Sequence, residues 1–442
     1  MEDTPLVMVE SDQELVAICE QLGQAPVLGV DTESDSMYSY REKVCLIQLS
    51  DAERDVIVDP LRLSDLSPLG ALMADPDTVK IFHGADYDVV CMHRDYGFRI
   101  RNLFDTMIAA QLLELPKIGL GDLVERFFGV RLDKQYQRHD WSKRPLLPEH
   151  VEYARGDTHF LLALREILML KVGQTDRTGP ASEEFQLLEL REWSGRAQHD
   201  GDGWLRMKRI GHLDEAQKKV LRAVWRFRDE LASSSNRPPY KVIPDRVLIQ
   251  LAERQPSDLD GLARIARRTS NMVKRHGDGM LAAVADGLVS EEAVPAKAKP
   301  KTPARPSSQR HSSRETEKLF TQLKEWRKRY TSANKVPLVL TASNAQLKAV
   351  AGYRPRDLDE LAGLDEIRNW QVERIGEALL AEVSRFEATL EKSRQQTPAG
   401  EGSKNKKRRR RRRRRSGDGS GGASGKGASG GEGASGGEGA EA

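Results

Sequence analysis

Apolar and polar positions alternate along the first 170 residues in a way that separates strands from helices. Val27-Leu28-Gly29-Val30 is an apolar run that ends in Asp31-Thr32-Glu33. Val44–Leu49, Asp55–Asp59 and Val79–His83 are three further short runs rich in Val, Ile and Leu, bounded by polar or turn-forming residues, and read as strands. A short helix is expected after Gly84, through Val89, Val90 and Met92. Apolar spacing of three and four then predicts helices over Leu103–Leu113, Gly121–Phe128 and, as one long amphipathic element, Glu149–Leu170. Hairpin-type strands followed by alternating strands and helices imply an α/β domain with a mixed sheet, over residues 1–175.

A polar stretch, Lys171 to Glu183, separates this region from helical sequence. Helices are expected over Leu213–Leu231, Asp245–Glu253, Asp258–Ile265 and Thr269–Asp286, within a domain of residues 205–290. Pro, Ala, Lys and Ser then dominate, so residues 291–313 are expected to be a disordered linker. A second helical block follows over 314–391. The blocks repeat: Pro256-Ser257-Asp258-Leu259-Asp260-Gly261-Leu262-Ala263 matches Pro355-Arg356-Asp357-Leu358-Asp359-Glu360-Leu361-Ala362 at an offset of 99, and Phe227-Arg228 falls on Trp326-Arg327. One module used twice explains this better than a solenoid. Residues 392–442 hold the unbroken Arg408–Arg415 run and then Gly, Ser and Ala, with nothing to build a core, and are expected to be a disordered basic tail.

Charge sharpens this division. The net of +3 hides an asymmetry. Residues 401–442 carry 12 Lys/Arg against 5 Asp/Glu, while residues 1–400 carry 58 against 62. The folded part is mildly acidic, so a case for nucleic acid has to come from a site and not from bulk charge. Cys19, Cys45 and Cys91 have neither zinc spacing nor a disulfide framework. With an acidic start, Met1-Glu2-Asp3, and no run long enough to span a bilayer, a cytoplasmic, non-membrane and monomeric protein is expected.

Candidate chemistry gathers at strand ends and on one helix. Asp31 and Glu33, two apart on a strand, leave the same face. Close carboxylates destabilise each other unless cations sit between them, which suits hard divalent ions with a preference for oxygen. Asp88 lies early in the helix after the fourth strand, and Tyr153 and Asp157 share a helix face. Each alone fits a solvated acid or a packing tyrosine. Together they fit in-line phosphoryl transfer at two metal ions, with a phenol to hold the attacking water.

Asp31-Thr32-Glu33, then Lys80-Ile81-Phe82-His83-Gly84-Ala85-Asp86-Tyr87-Asp88, then Tyr153-Ala154-Arg155-Gly156-Asp157 resemble, in order, the three motifs of the ribonuclease D branch of the DEDD exonucleases, the branch with tyrosine in its third motif. Phe104-Asp105-Thr106 and Asp140-Trp141-Ser142-Lys143-Arg144-Pro145-Leu146 resemble the same family. The resemblance implies a ribonuclease H-like mixed sheet with flanking helices, with Asp31, Glu33, Asp88 and Asp157 as ligands of two ions, Mg²⁺ or Mn²⁺, and Tyr153 as the water-orienting group. It also implies removal of nucleotides from a free RNA 3' end, such as that of a tRNA precursor, with release of nucleoside 5'-monophosphates. His83 is expected to be structural or to support the ligands. Asp86 is expected to point elsewhere, and Asp105 to support the site or cap a helix. The two helical blocks resemble HRDC modules, which the family uses to grip nucleic acid. Two other functions stay open on the motifs alone: a DNA 3'→5' exonuclease, and a non-catalytic RNA-binding protein built on the helical modules and the arginine arm.

Overall fold

The computed structural model describes residues 4–195, 202–266, 271–295 and 313–395. Most of the expected linker, 296–312, and the tail beyond 395 lie outside the described residues. By contact the chain divides after Val383, and the first unit holds everything that follows.

The strands are β1 (Leu6–Val9), β2 (Val27–Ser34), β3 (Val44–Ser50), β4 (Asp55–Val58), β5 (Val79–Phe82) and β6 (Leu103–Asp105). They form one sheet in the order β1-β4-β3-β2-β5-β6. The β2-β3-β4 meander is antiparallel, and β1, β5 and β6 add in parallel, so the sheet is mixed as expected. β3 and β4 are buried at every position, which is why they read as continuous apolar runs and not as alternating ones. Helices α1 (Asp12–Leu22), α2 (Ser67–Ala74), α3 (Asp86–Tyr96), α4 (Thr106–Leu112), α5 (Leu120–Phe128), α6 (Pro148–His159), α7 (Leu161–Gly173) and α8 (Thr178–Glu189) flank it.

Three details depart from the periodicity. The expected helix at 103–113 begins as a strand, because Leu103-Phe104-Asp105 pairs with Lys80-Ile81-Phe82 before Asp105 caps α4. The single helix expected at 149–170 is two, broken at Phe160, whose backbone N–H turns to Thr158 O. The polar stretch Lys171–Glu183 is no separator: it runs into α8, whose Ala181, Phe185 and Leu188 lie in the nuclease core, so that core continues through Leu188.

The first helical module comprises α9 (Glu215–Ser234), α10 (Pro239–Val242), α11 (Asp245–Arg254), α12 (Leu259–Ala266) and α13 (Asn271–Val289). The second comprises α14 (Ser313–Asn334), α15 (Asn344–Tyr353), α16 (Leu358–Ala362) and α17 (Asn369–Gln395). The repeat is exact at the level of contacts. Arg228 donates to Ile243 O at 3.2 Å and Asp245 Oδ1 at 2.5 Å. Ninety-nine residues on, Arg327 donates to Ala342 O at 2.6 Å and Asn344 Oδ1 at 2.7 Å. The start of the expected linker is not free. Arg222 donates to Glu292 O and Ala293 O, and Val294 packs on the first module's core.

Both modules dock on the nuclease through the same loop. In the first, Tyr240 Oη donates to Met37 O at 3.2 Å and Lys241 Nζ stands 3.9 Å over the Tyr38 ring. In the second, the equivalent positions are Val339 and Leu340, and they pack into the nuclease core. Glu183 of α8 accepts from the backbone N–H of Asn369 and Trp370 and so caps α17 across the boundary. Among the described residues no helix is long and apolar enough to cross a membrane.

Candidate active site

The carboxylates come from three elements. Asp31 and Glu33 sit on β2 opposite Gln48 and Leu46 of β3, and the pairing shifts register between Glu33 and Ser34, where the strand ends. Asp88 lies in the first turn of α3 and is buried. Asp157 is one turn beyond Tyr153 on α6. The helix reaches β2 closely because position 29 is glycine: a Cβ there would stand 3.0 Å from Thr158 O. Asp31, Glu33, Tyr153 and Asp157 line one cleft of about 570 Å³, with Thr32, Met37, His83, Leu132, Lys134 and Arg138 among its other walls. Asp88 lies behind it, where Thr32 Oγ1 donates to its Oδ1.

The four charges press on one another. Asp31 is held well above the carboxylate range by burial and then by Asp88, Asp157 and Glu33. Burial, then Asp157 and Asp88, push Glu33 up to about 9. Burial pushes Asp88 up to about 6 against the opposing bond from Thr32, and Asp157, with Asp88 adding to burial, up to about 7. Tyr153 is raised by burial and then by Asp157, Glu33 and Asp31, so the phenol is neutral.

This donor set fits divalent cations. Carboxylates that raise one another's pKa are relieved only by protons or by metal. Gln48, fully buried and directly across from Asp31, has no partner among the described residues for either amide atom, which suits the hydration of an ion there. The side chains do not form a closed coordination shell: among the described residues no group of three His, Cys, Asp or Glu converges for one ion. Thr32's hold on Asp88 is one contact that ligation would have to loosen.

Supporting residues explain the rest of the motifs. Asp105 does both things considered for it: it caps α4 at Met107 N and Ile108 N, and it accepts from Gly84 N and Ala85 N ahead of α3. Thr106 gives its hydroxyl hydrogen to Phe82 O, so the 2.9 Å contact with His83 is donated by Nδ1. The lone pair of His83 is then on Nε2, and burial lowers the imidazole's pKa and keeps it neutral. Asp86 turns away to Arg191. Arg155 anchors α6 to Asp55 at 2.7 Å, and Arg144 grips both oxygens of Asp59 and the carbonyl of Cys45. Gln48, Thr32, Lys134 and Arg138 were not singled out by sequence. Their signal is cross-strand register and cleft wall, which no local pattern carries.

Comparison with known proteins agrees with this arrangement. A family model described as a 3'-5' exonuclease matches residues 6–173, and HRDC domain models match 217–284 and 316–383. The crystal structure of the catalytic core of RRP6 from Trypanosoma brucei is 30% identical, with a TM-score of 0.57, covering 65% of this chain and 81% of that one. The chain belongs to the ribonuclease D family of 3'-5' exonucleases. Within the family, the crystal structure of Escherichia coli RNase D, titled an exoribonuclease involved in structured RNA processing, has a TM-score of 0.66 at 26% identity, covering 86% of this chain and 99% of that one. The exosome complex component 10 homolog of Caenorhabditis elegans is 35% identical over 284 residues, 63% of this chain and 32% of that protein. The chain spans about a third of the length of the first of the curated relatives it matches.

Proposed function

We propose that this chain is a divalent-metal-dependent 3'→5' exoribonuclease that trims RNA 3' ends, tRNA precursors and other structured RNA among them, and releases nucleoside 5'-monophosphates. The observation that carries the reading is that Asp31, Glu33, Tyr153 and Asp157 line one cleft with Asp88 close behind Asp31, although the five are spread over 127 positions of sequence. Asp31, Glu33, Asp88 and Asp157 would hold the ions, Mg²⁺ or Mn²⁺. When bound, two such ions lower the pKa of the attacking water and stabilise charge on the phosphate and leaving oxygen. Tyr153, as a neutral phenol, orients the water by hydrogen bond. Lys134 and Arg138, cations that line the same cleft, draw the incoming phosphate backbone. RNA is favoured over DNA by the ribonuclease relatives and by the two docked helical modules. The buried, unpaired thiols of Cys19, Cys45 and Cys91 suit a reducing cytoplasm.

The test is a time course on 5'-labelled RNA with matched single-stranded DNA beside it. A ladder shortening one nucleotide at a time from the 3' end, silent in EDTA and restored by Mg²⁺ or Mn²⁺, is expected. Immediate internal fragments, or release of the 5' label as a mononucleotide, would refute the polarity, and faster loss of DNA would move the substrate.

A further inference from the structure

Behind Tyr153 lies an aromatic box that the proposed chemistry does not use. Trp141, 1% exposed, faces the tyrosine ring at 5.8 Å, and Tyr136 meets it edge-on at 5.9 Å. Beneath them His139 and His150 stack with ring centroids 3.9 Å apart. His150 is 8% exposed and sits in the first turn of α6, where its Nδ1 accepts the backbone N–H of Leu147 at 3.3 Å. That bond closes the N-terminus of the helix carrying Tyr153 and Asp157, a place where leucine has no side-chain group to offer. It requires a neutral His150 with its hydrogen on Nε2. His139 Nε2 is buried with no partner among the described residues.

We propose that His150 and His139 are positioning residues for Tyr153: a stacked pair of neutral imidazoles fixes the start of α6 and the phenol it carries, and releases both on protonation. The inference rests on the reading of Tyr153 as the water-orienting group. Protonation of His150 turns its Nδ1 from acceptor to donor, facing another donor. Protonation of His139 buries an N–H without a partner and puts charge against its neighbour, both unfavourable. Burial and then His150 already hold His139 below its ordinary value, with Lys143 acting the same way and Asp140 opposing. Asp140 and Lys143 are 3.8 Å apart on the loop. On the same loop Arg144 is paired with Asp59, which follows β4, and from β3 Cys45 is a thiol pushed up to about 12. α6 itself carries Glu149, exposed, and Glu152, paired with Arg155, and then Tyr153 and Asp157. None of these supplies an anion dedicated to a second imidazolium.

The experiment uses the full chain, with RNA trimming measured at saturating Mg²⁺ from pH 5.5 to 8. His150→Ala removes the acceptor and is expected to lower kcat about 10-fold at pH 8, with KM within about twofold. Gln supplies a non-titrating acceptor at the same place in the turn, so His150→Gln should recover most of that kcat. It should also lose part of the acid limb: the fall in kcat from pH 8 to 5.5 should be at least about fivefold smaller than in wild type. Superposable pH profiles for wild type and His150→Gln would overturn the proposal, as would an unchanged kcat in a folded His150→Ala. If His150→Ala does not fold, the wild-type and Gln profiles decide alone. Histidine- and tyrosine-selective NMR of the full chain gives a reading without turnover. The Tyr153 ring signals should shift with the His150 midpoint in wild type and stay still in His150→Gln, and a Tyr153 signal indifferent to His150 titration counts against the proposal. Absence of trimming by the wild-type chain would instead defeat the exonuclease reading, and the NMR arm would still decide this one.

Discussion

Asp31 shows what a metal site costs the protein that carries it. Its carboxylate, with those of Glu33, Asp88 and Asp157, has a folded-state pKa above the unfolded value near 4. The metal-free folded form therefore holds protons that the unfolded chain has already given up. The associated stability is complete below about pH 4 and is lost as pH rises through the folded values of about 6, 7 and 9 for Asp88, Asp157 and Glu33. Asp31→Asn removes one of the opposed charges. It should abolish trimming and at the same time raise the melting temperature of EDTA-treated protein at pH 8 by about 2 °C or more, since each kcal/mol is worth roughly 2–4 °C in a domain of this size. The gain should shrink at pH 5, where protons already do what the mutation does. Differential scanning calorimetry in EDTA at both pH values checks this, and a lower melting temperature for Asp31→Asn at pH 8 would contradict it. The acidic residues of the cleft were legible in sequence because their order and residue types are chemical. Gln48 and the His139–His150 stack were not, because each acquires meaning only from what lies across a strand or a turn.

At the level of elements, Asp105 ties two of them to one carboxylate. Four backbone N–H groups, from Gly84, Ala85, Met107 and Ile108, end on its two oxygens, and it is 1% exposed. Asp105→Ala leaves all four without that acceptor and should cost at least about 3 kcal/mol, by the worth of hydrogen bonds to a buried charged group. Asp105→Asn keeps one acceptor oxygen and should cost less. Urea denaturation measures both, and an alanine variant within about 0.5 kcal/mol of wild type would mean the neighbouring packing holds the turn unaided. Because α3 starts from this turn and carries Asp88, activity should fall with stability. The strands β2 to β5 and most helices were readable from apolar spacing. β6 was not, since two apolar residues and a capping aspartate that run straight into a helix share the helix's periodicity. The break at Phe160 was hidden for the same reason: the apolar stripe continues through it. α8 was passed over because Glu183 and Glu184, which hold the second module, make its sequence look like a linker.

Across the whole molecule, the two modules divide a job that the repeat first gave to both. The equivalent loop meets the cleft wall through Tyr240 and Lys241 in one copy and enters the nuclease core through Val339 and Leu340 in the other. The first copy therefore borders the cleft at Met37, and the second packs into the nuclease core. The densest cationic stretch of sequence is Arg408–Arg415, eight consecutive charges with no apolar residue among them. Deleting residues 404–442 should leave single-turnover cleavage unchanged and weaken capture of many RNA sequences about equally. If half of those arginines meet phosphate, the salt slope of binding should flatten by roughly 3. Affinities of full-length and truncated chains at several salt concentrations give the answer, and identical slopes would assign the arm to something other than RNA.

Gly29 sets a tolerance for all of this. Asp31 and Glu33 are counted from the strand side of its contact with Thr158 and Asp157 from the helix side, each within a few residues of the point where the backbones meet. A machinist would call that point a datum: positions measured from nearby accumulate little error, however much the distant parts drift. The modules, the α8 extension and the basic arm can differ in length and sequence without altering the spacing between β2 and α6. A single methyl group at position 29 would alter it directly.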